Sequence, residues 1–201
     1  MNKIITIGRE FGSGGREIGR RLAEALNIAY YDREIITEIS KRTSLSEGYI
    51  EQMMQQNPIT MFPITIGRSF YPRINPVLEQ NNSLFQEQSK IILEMAQKSD
   101  CVIVGRCADT VLQELMPFRV FVYADMESKI KRCRENAPPQ ENLSDKELKH
   151  QITNMDKNRS KYYEFYAGKT WGKKLNYDLC INTTQTDMDT IVAIISKSFA
   201  L

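Results

Sequence analysis

Five short apolar runs recur along the chain and are typical of β-strands. They lie at residues 4–7, 28–32, 102–105, 119–124 and 179–183. Nearly continuous apolar runs of this length suit strands that are buried on both faces of a parallel sheet. The run at 28–32, IAYYD, is the weakest of the five.

Between these runs, the apolar residues follow the spacing of helices. Ile18, Leu22 and Leu26 recur every four positions, and Ile35 and Ile39 do the same. Further helices are predicted near 83–98, 126–136, 145–165 and 187–199. Because strands and helices alternate, we predict an α/β fold with a mainly parallel, five-stranded sheet, helices on both faces and right-handed crossovers.

Two segments interrupt this alternation. Residues 57–82 hold four of the seven prolines among apolar residues, and residues 135–147 form a polar break before a long basic helix. Long insertions in a compact fold serve as functional covers or as surface loops, and the sequence leaves both interpretations open. Apolar residues of the first segment are candidates to cover a substrate or a second subunit of a homo-oligomer: Met61, Phe62, Ile64, Ile66 and Phe70.

Composition and charge narrow the function classes. The 201 residues fit a single domain, residues 1–201, and 41% apolar with 26% charged residues is ordinary for a globular protein. A formal charge of +2 gives no sign of a nucleic-acid partner. No run approaches the roughly 18 apolar residues of a membrane span, and no signal peptide is evident, so we expect a cytoplasmic protein without a membrane partner. Scattered cysteines and the single histidine, His150, argue against a zinc site, a disulfide framework and a histidine-based triad.

A glycine-rich loop follows the first predicted strand and opens the first predicted helix. It reads GREFGSGGREIG at residues 8–19. Glycine lets backbone N–H groups converge, and a helix N-terminus adds partial positive charge, so this layout predicts an anion site. We expect the amides of Gly12, Gly14 and Gly15 to ring a phosphate group. A tight turn without a ligand is the alternative.

The loop differs from the familiar phosphate-binding pattern GxxxxGK[ST] in both functional side chains. No lysine follows the glycines, and Arg16 stands nearest to the lysine position. Ser13 is the only hydroxyl in the loop.

A dinucleotide-binding turn is a competing interpretation of the same loop. Gly12 and Gly14 match the first two glycines of that turn, and Asp32 lies 20 residues after the first, where an acid binds the ribose. The third glycine, however, would be Glu17.

Charged residues follow the predicted strands at the edge where ligands bind in doubly wound sheets. Asp32 and Arg33 come directly after the second strand, and Arg106 and Asp109 follow the third. Arginine at such an edge suits a bidentate grip on phosphate. A salt bridge between Arg106 and Asp109 is the alternative.

The basic helix predicted over 145–165 supplies further cations. Lys157 and Arg159 lie in DKNRSKYY, where Lys157 and Lys161 share a face and Arg159 points elsewhere. Long basic helices usually present a solvated face, so a role at a ligand is the second of two interpretations.

Five stretches resemble the cytidylate-kinase-like branch of the P-loop nucleoside monophosphate kinases. In chain order they are GREFGSGGREIG, YYDRE, VIVGRCAD, DKNR and WGKKLNYDLCINTT. The resemblance covers nearly the whole chain and is weakest over 44–98. It implies a P-loop NTPase-type three-layer fold, an acceptor-binding insertion over 44–98 and a helical lid region over 135–176.

The resemblance also implies ATP as the phosphoryl donor, Mg²⁺ as a cofactor and a small-molecule nucleotide as the substrate. The residues expected to hold the ATP phosphates are Gly12, Ser13, Gly14, Gly15, Arg16 and Glu17. Those expected to bind the acceptor are Asp32, Arg33, Arg106, Asp109 and Asp156. Those expected to act in catalysis are Arg16, Arg106, Arg159, Lys157 and Asp32.

Three departures from the pattern of those enzymes bear on activity. The phosphate-loop lysine is absent, REII stands where the enzymes carry a serine-glycine run, and Cys107 replaces an aspartate. A nucleotide-binding protein without efficient catalysis is therefore the alternative to a phosphotransferase.

Overall fold

The computed structural model describes residues 2–55, 76–138 and 143–200. The strands are β1 (Ile4–Arg9), β2 (Ala29–Tyr31), β3 (Cys101–Val104), β4 (Phe118–Tyr123) and β5 (Leu179–Asn182). The helices are α1 (Gly15–Leu26), α2 (Arg33–Thr43), α3 (Glu47–Gln55), α4 (Pro76–Lys98), α5 (Ala108–Val111), α6 (Met126–Glu135), α7 (Asp145–Ala167) and α8 (Met188–Ala200).

All five predicted strands are confirmed, and they form one parallel sheet in the order β2-β3-β1-β4-β5. β1 is central, with Ile5 beside Val102 of β3 and Phe118 of β4. The dinucleotide-binding interpretation is wrong, because that fold places its first strand next to its second. Here β3 lies between β1 and β2.

Alternate residues of the strands supply two separate cores. Ile5 and Ile7 pack with α1 and α8, whereas Ile4 and Ile103 pack with α2, α3, α4 and α5. Both faces of the sheet are therefore covered, which gives three layers. This explains the nearly continuous apolar runs, since a strand buried on both faces has few positions for a polar side chain; Thr6 is the buried polar residue of β1.

The helices depart from the sequence predictions in three places. α3 and the short α5 were not predicted, and α4 begins at Pro76, so the last part of the proline-rich segment is helical. Proline suits the first turn of a helix because its missing N–H has no intrahelical partner there. Residues 56–75, which hold the predicted apolar cover, lie outside the described residues.

Backbone geometry explains the turn between β1 and α1. Gly12 and Gly14 have φ angles of +72° and +82°, a region that side-chain-bearing residues rarely adopt. A Cβ on Gly12 would approach the carbonyl oxygen of Lys129 to 3.0 Å. The glycines thus let the loop lie close against α6. In the described part of the chain, no helix is long and apolar enough to cross a membrane.

Candidate functional site

Two adjoining pockets lie at the carboxyl ends of the strands. The first, here called the strand-end pocket, is bounded by the ends of β1 and β3, by α3, by α7 and by the loop before β5. The second, here called the loop pocket, lies between the glycine loop, α6 and the first half of α7. Arg9, Arg16 and Arg159 line both pockets, so the two spaces meet at these three side chains.

The glycine loop directs free amides into the loop pocket. The first bond of α1 runs from the Ile18 amide to the Gly14 carbonyl. Within the described residues, the amides of Gly12, Gly14, Gly15, Arg16 and Glu17 have no acceptor. Unsatisfied amides at a helix N-terminus form a cradle for an anion. The Phe11 amide is not part of it, because it donates to the Asp156 carboxylate at 2.6 Å.

Ser13 fixes the shape of the loop. Its side chain is fully buried, and its hydroxyl donates to the Glu10 carbonyl at 2.8 Å. Its own carbonyl accepts from the Thr183 hydroxyl at 2.8 Å. Arg132 of α6 reinforces this link, since its guanidinium donates to the carbonyls of Gly12 and Thr183. The buried hydroxyl does not line the loop pocket, so Ser13 shapes the loop from within.

Four arginines converge around one buried carboxylate. Asp32 is 3% exposed; its Oδ2 lies 2.6 Å from Arg16 Nε and its Oδ1 lies 3.9 Å from Arg9 Nη2. Burial lowers the pKa of Arg159 to about 10, and it also lowers the pKa of Arg9 and of Arg106. Neighbouring arginines add to each shift. Asp156 also attracts Arg159, but Asp156 is already paired with Lys129. Glu51 also attracts Arg106. The four guanidinium groups therefore outnumber the carboxylates around them, which favours an anionic ligand.

Arg106 projects from a strained turn after β3. Gly105, Arg106 and Cys107 have consecutive positive φ angles of 75°, 62° and 54°. The buried Gln88 holds this turn, because its amide donates to the Arg106 carbonyl at 3.0 Å. Arg106 Nη1 contacts Met54 Sδ at 3.0 Å, and its buried Nε has no partner in the described residues. Strain of this kind persists where the surroundings enforce it, often at ligand sites.

The predicted alternative of an Arg106–Asp109 salt bridge is wrong. The Asp109 carboxylate instead accepts a hydrogen bond from the Tyr163 hydroxyl at 2.6 Å. Burial raises the pKa of Asp109, and this hydrogen bond offsets part of the rise. Asp109 and Tyr163 both line the strand-end pocket.

Helix α7 is joined to the glycine loop through a buried lysine. Lys129 of α6, 5% exposed, contacts Glu10 at 2.6 Å and Asp156 at 3.0 Å. Burial raises the pKa of Asp156, which the Lys129 ammonium group and the Phe11 amide partly offset. Arg159, one turn further on, donates to the Arg9 carbonyl at 3.2 Å and lies over the Phe11 ring.

Five residues predicted for the site line neither pocket. Lys157 is exposed on α7, and Arg33 is exposed at the start of α2. The other three, Ser13, Asp32 and Asp156, are engaged with the glycine loop or with Arg16 through the contacts given above.

The sequence analysis missed three cations that the fold brings to the site. Arg9 lines both pockets, Arg132 lines the loop pocket, and Lys129 joins the loop to α7. Arg9 lies in the motif GREFG close to the end of the first predicted strand, but this position alone does not indicate that its side chain is enclosed.

In the described residues, no group of three or more histidine, cysteine or acidic side chains could hold a metal ion. A Mg²⁺ ion bound together with a phosphate ligand does not need three protein ligands. One or two carboxylates suffice, because substrate phosphates and water complete its coordination shell. The buried Asp32 Oδ1 has no hydrogen-bond partner in the described residues. Asp32 therefore fits the role of a Mg²⁺ ligand.

Solved structures show which fold this is. An uncharacterized protein from Eubacterium ventriosum ATCC 27560 is 29% identical, with a TM-score of 0.72 over 99% of each chain. Shikimate kinase from Bacteroides thetaiotaomicron gives a TM-score of 0.59 at 16% identity over 99% of each chain. Shikimate kinase from Acinetobacter baumannii, in complex with shikimate, gives 0.51 at 16% identity, covering 100% of this chain and 93% of that one.

The fold is thus that of the kinase-like P-loop proteins, as predicted. The model of the cytidylate kinase-like family matches residues 4–185, and the chain belongs to this family. No curated protein sequence matches the chain significantly.

Proposed function

We propose that this protein transfers the γ-phosphoryl group of ATP to a small phosphorylated acceptor, a nucleoside monophosphate. The observation that carries the proposal is the meeting of the two pockets at shared arginines. One pocket presents amides that suit donor phosphates, and the other presents cations and aromatic rings that suit a phosphorylated acceptor. Phosphoryl transfer consists mainly of positioning and charge neutralisation, which this arrangement can supply.

The donor phosphates would lie on the free amides from Gly12 to Glu17. Arg16 stands nearest to the position of the phosphate-loop lysine, and its side chain borders both pockets. Asp32 holds Arg16 in place through the 2.6 Å ion pair. When bound, Mg²⁺ would neutralise charge on the donor phosphates, and Asp32 is the residue that would hold it.

The acceptor would lie in the strand-end pocket. Arg106 lines this pocket and would bind the acceptor phosphate, since its Nε has no partner among the residues that the structure describes. The rings of Tyr162, Trp171 and Tyr177 line the same pocket and suit a planar base. Arg159 would contact the transferring group between the two pockets. Asp156 would act by positioning, because its carboxylate is engaged with Phe11 and Lys129.

A thermal-shift panel tests the proposal against its alternatives. ATP, NAD, CMP, UMP and AMP are each added with and without Mg²⁺, and ADP release is followed in a coupled assay. We expect ATP to raise Tm, NAD to leave it unchanged, and ADP to appear when one of the monophosphates is present. Stabilisation by ATP without ADP release would instead indicate a nucleotide-binding protein without catalysis. No effect of ATP on Tm would contradict the proposal.

A further inference from the structure

Arg9 occupies the wall between the two pockets. It is the last residue of β1, its side chain is 13% exposed, and it lines both the loop pocket and the strand-end pocket. A buried arginine is uncommon unless it is paired. In the described residues, its one ion pair is with Asp32 at 3.9 Å, which is beyond hydrogen-bond distance. Its guanidinium donors are therefore available to a ligand.

Two glycines that are distant in sequence form a slot for this side chain. A Cβ on Gly15 would lie 2.6 Å from the Arg9 Cβ, and a Cβ on Gly105 would lie 1.6 Å from Arg9 Nη1. No side chain at either position could coexist with Arg9 in this conformation. The slot fixes the stem at the start of α1 and the guanidinium at the end of β3. Arg9 is therefore preorganised before any ligand binds.

The charged groups around Arg9 are mostly positive, which favours the binding of an anion. Arg16, Arg106 and Arg159 all repel it, and Asp32 is the acid that attracts it. Arg9 and Arg16 approach opposite oxygens of that carboxylate. Arg16, however, is 60% exposed and directly ion-paired, so Arg9 is the less neutralised and the more buried of the two.

We infer that Arg9 binds the transferred phosphoryl group from the interior side, with Gly105 as the positioning residue that admits its guanidinium. The inference rests on the proposed function, because the phosphoryl group passes between the pockets that Arg9 separates. Arg16 then contacts the donor phosphates from the solvent side. Arg9 and Arg16 together then take the place of the single missing lysine. The planar guanidinium group of an arginine can donate two hydrogen bonds at once to a pair of phosphate oxygens.

Binding of inorganic pyrophosphate, measured by calorimetry at fixed salt, tests the inference without requiring turnover. We expect Arg9→Met to weaken pyrophosphate binding at least tenfold while Tm stays at or above that of the wild type, because repulsion among the arginines is relieved. Lys149→Met, which removes an exposed charge on α7 outside both pockets, is the matched control and should leave binding unchanged.

A lowered Tm of Arg9→Met with pyrophosphate affinity retained would show a structural role and would overturn the inference. Gly105→Ala provides a second variant if Arg9→Met does not fold. It keeps the charge of Arg9 but fills the slot, so it should also weaken binding at least tenfold, and unchanged affinity would again overturn the inference. A wild type that binds pyrophosphate through Arg9 but phosphorylates none of CMP, UMP and AMP would contradict the proposed function alone.

Discussion

Arg159 and Lys157 lie close together on α7, but the helix directs their side chains to different places. Arg159 faces the boundary of the two pockets, whereas Lys157, two residues earlier, is exposed to solvent. Residues two positions apart on an α-helix point in directions about 200° apart, so Lys157 and Arg159 cannot lie on the same face. We therefore expect Arg159, and not Lys157, to be the residue of α7 that acts on the phosphoryl group.

Arg159→Ala should lower kcat by about a thousandfold while changing ATP affinity only modestly. An arginine that contacts the transferring phosphoryl group is worth roughly 10³ to 10⁵ in rate. The measurement is coupled ADP release with the best acceptor of the panel, and Lys149→Ala on the same helix is the control. Retention of wild-type kcat by Arg159→Ala would show that Arg159 does not contact the transferring group.

Asp109→Asn should change the pH dependence of stability. Burial raises the pKa of Asp109 in the folded protein, so the folded state holds this proton more tightly than the unfolded state. The contribution of Asp109 to stability is present below its ordinary pKa of about 3.9 and is lost as the pH rises through the folded pKa. The asparagine does not titrate and still accepts from Tyr163.

The free energy of unfolding in urea, measured from pH 4 to pH 7, tests this effect of Asp109. The stability of Asp109→Asn relative to the wild type should increase with pH and then level off. A difference between the two proteins that is constant over this range would contradict the expected direction.

The glycine loop, α6 and α7 act as one assembly. Lys129 bridges Glu10 of the loop to Asp156 of α7, and the Asp156 carboxylate also accepts from the Phe11 amide. The site therefore depends on contacts between elements that are far apart in sequence. A capping box at Ser144 and Glu147 fixes where α7 begins.

Gly14→Ala should weaken ATP binding at least tenfold and destabilise the fold by about 1–2 kcal/mol, the cost of a side-chain-bearing residue in the left-handed region. The φ angle of Gly14 is +82°, and an added Cβ would lie 2.3 Å from Met188 Cε. Gly48→Ala is the control, since nothing lies within 4 Å of a Cβ there. That exposed helical position should be stabilised by up to about 1 kcal/mol.

Calorimetry with ATP and urea unfolding measure the two effects of Gly14→Ala. Equal ATP affinities of the Gly14→Ala and Gly48→Ala variants would show that the loop does not bind the donor.

The sequence predicted the five strands and the glycine-rich turn after the first of them, because both depend on local patterns. A strand that is buried on both faces is mostly apolar, and a turn that presents several amides to one side is usually rich in glycine. The central position of β1 did not follow from these patterns, since strand order depends on which helix crosses which face.

Arg9, Lys129 and Arg132 could not be assigned to the site from the sequence. An arginine at the end of a strand is usually a surface residue, and Arg9 is buried because Gly15 and Gly105 together leave a slot. Lys129 and Arg132 lie on a strongly charged helix, whose solvent-facing and loop-facing sides cannot be separated by composition. Arg33 was predicted because it follows the second strand, yet it begins α2 and faces solvent.

An NMR titration of ¹⁵N-labelled protein tests the central claim, that donor phosphates lie on the glycine-loop amides and the acceptor lies in the strand-end pocket. A non-hydrolysable ATP analogue with Mg²⁺ should shift the amide signals of Gly12, Gly14 and Gly15. CMP, UMP or AMP should shift the indole signal of Trp171, the one tryptophan of the chain, which lines the acceptor pocket. If the ATP analogue binds and leaves the three glycine amides unshifted, the account is contradicted.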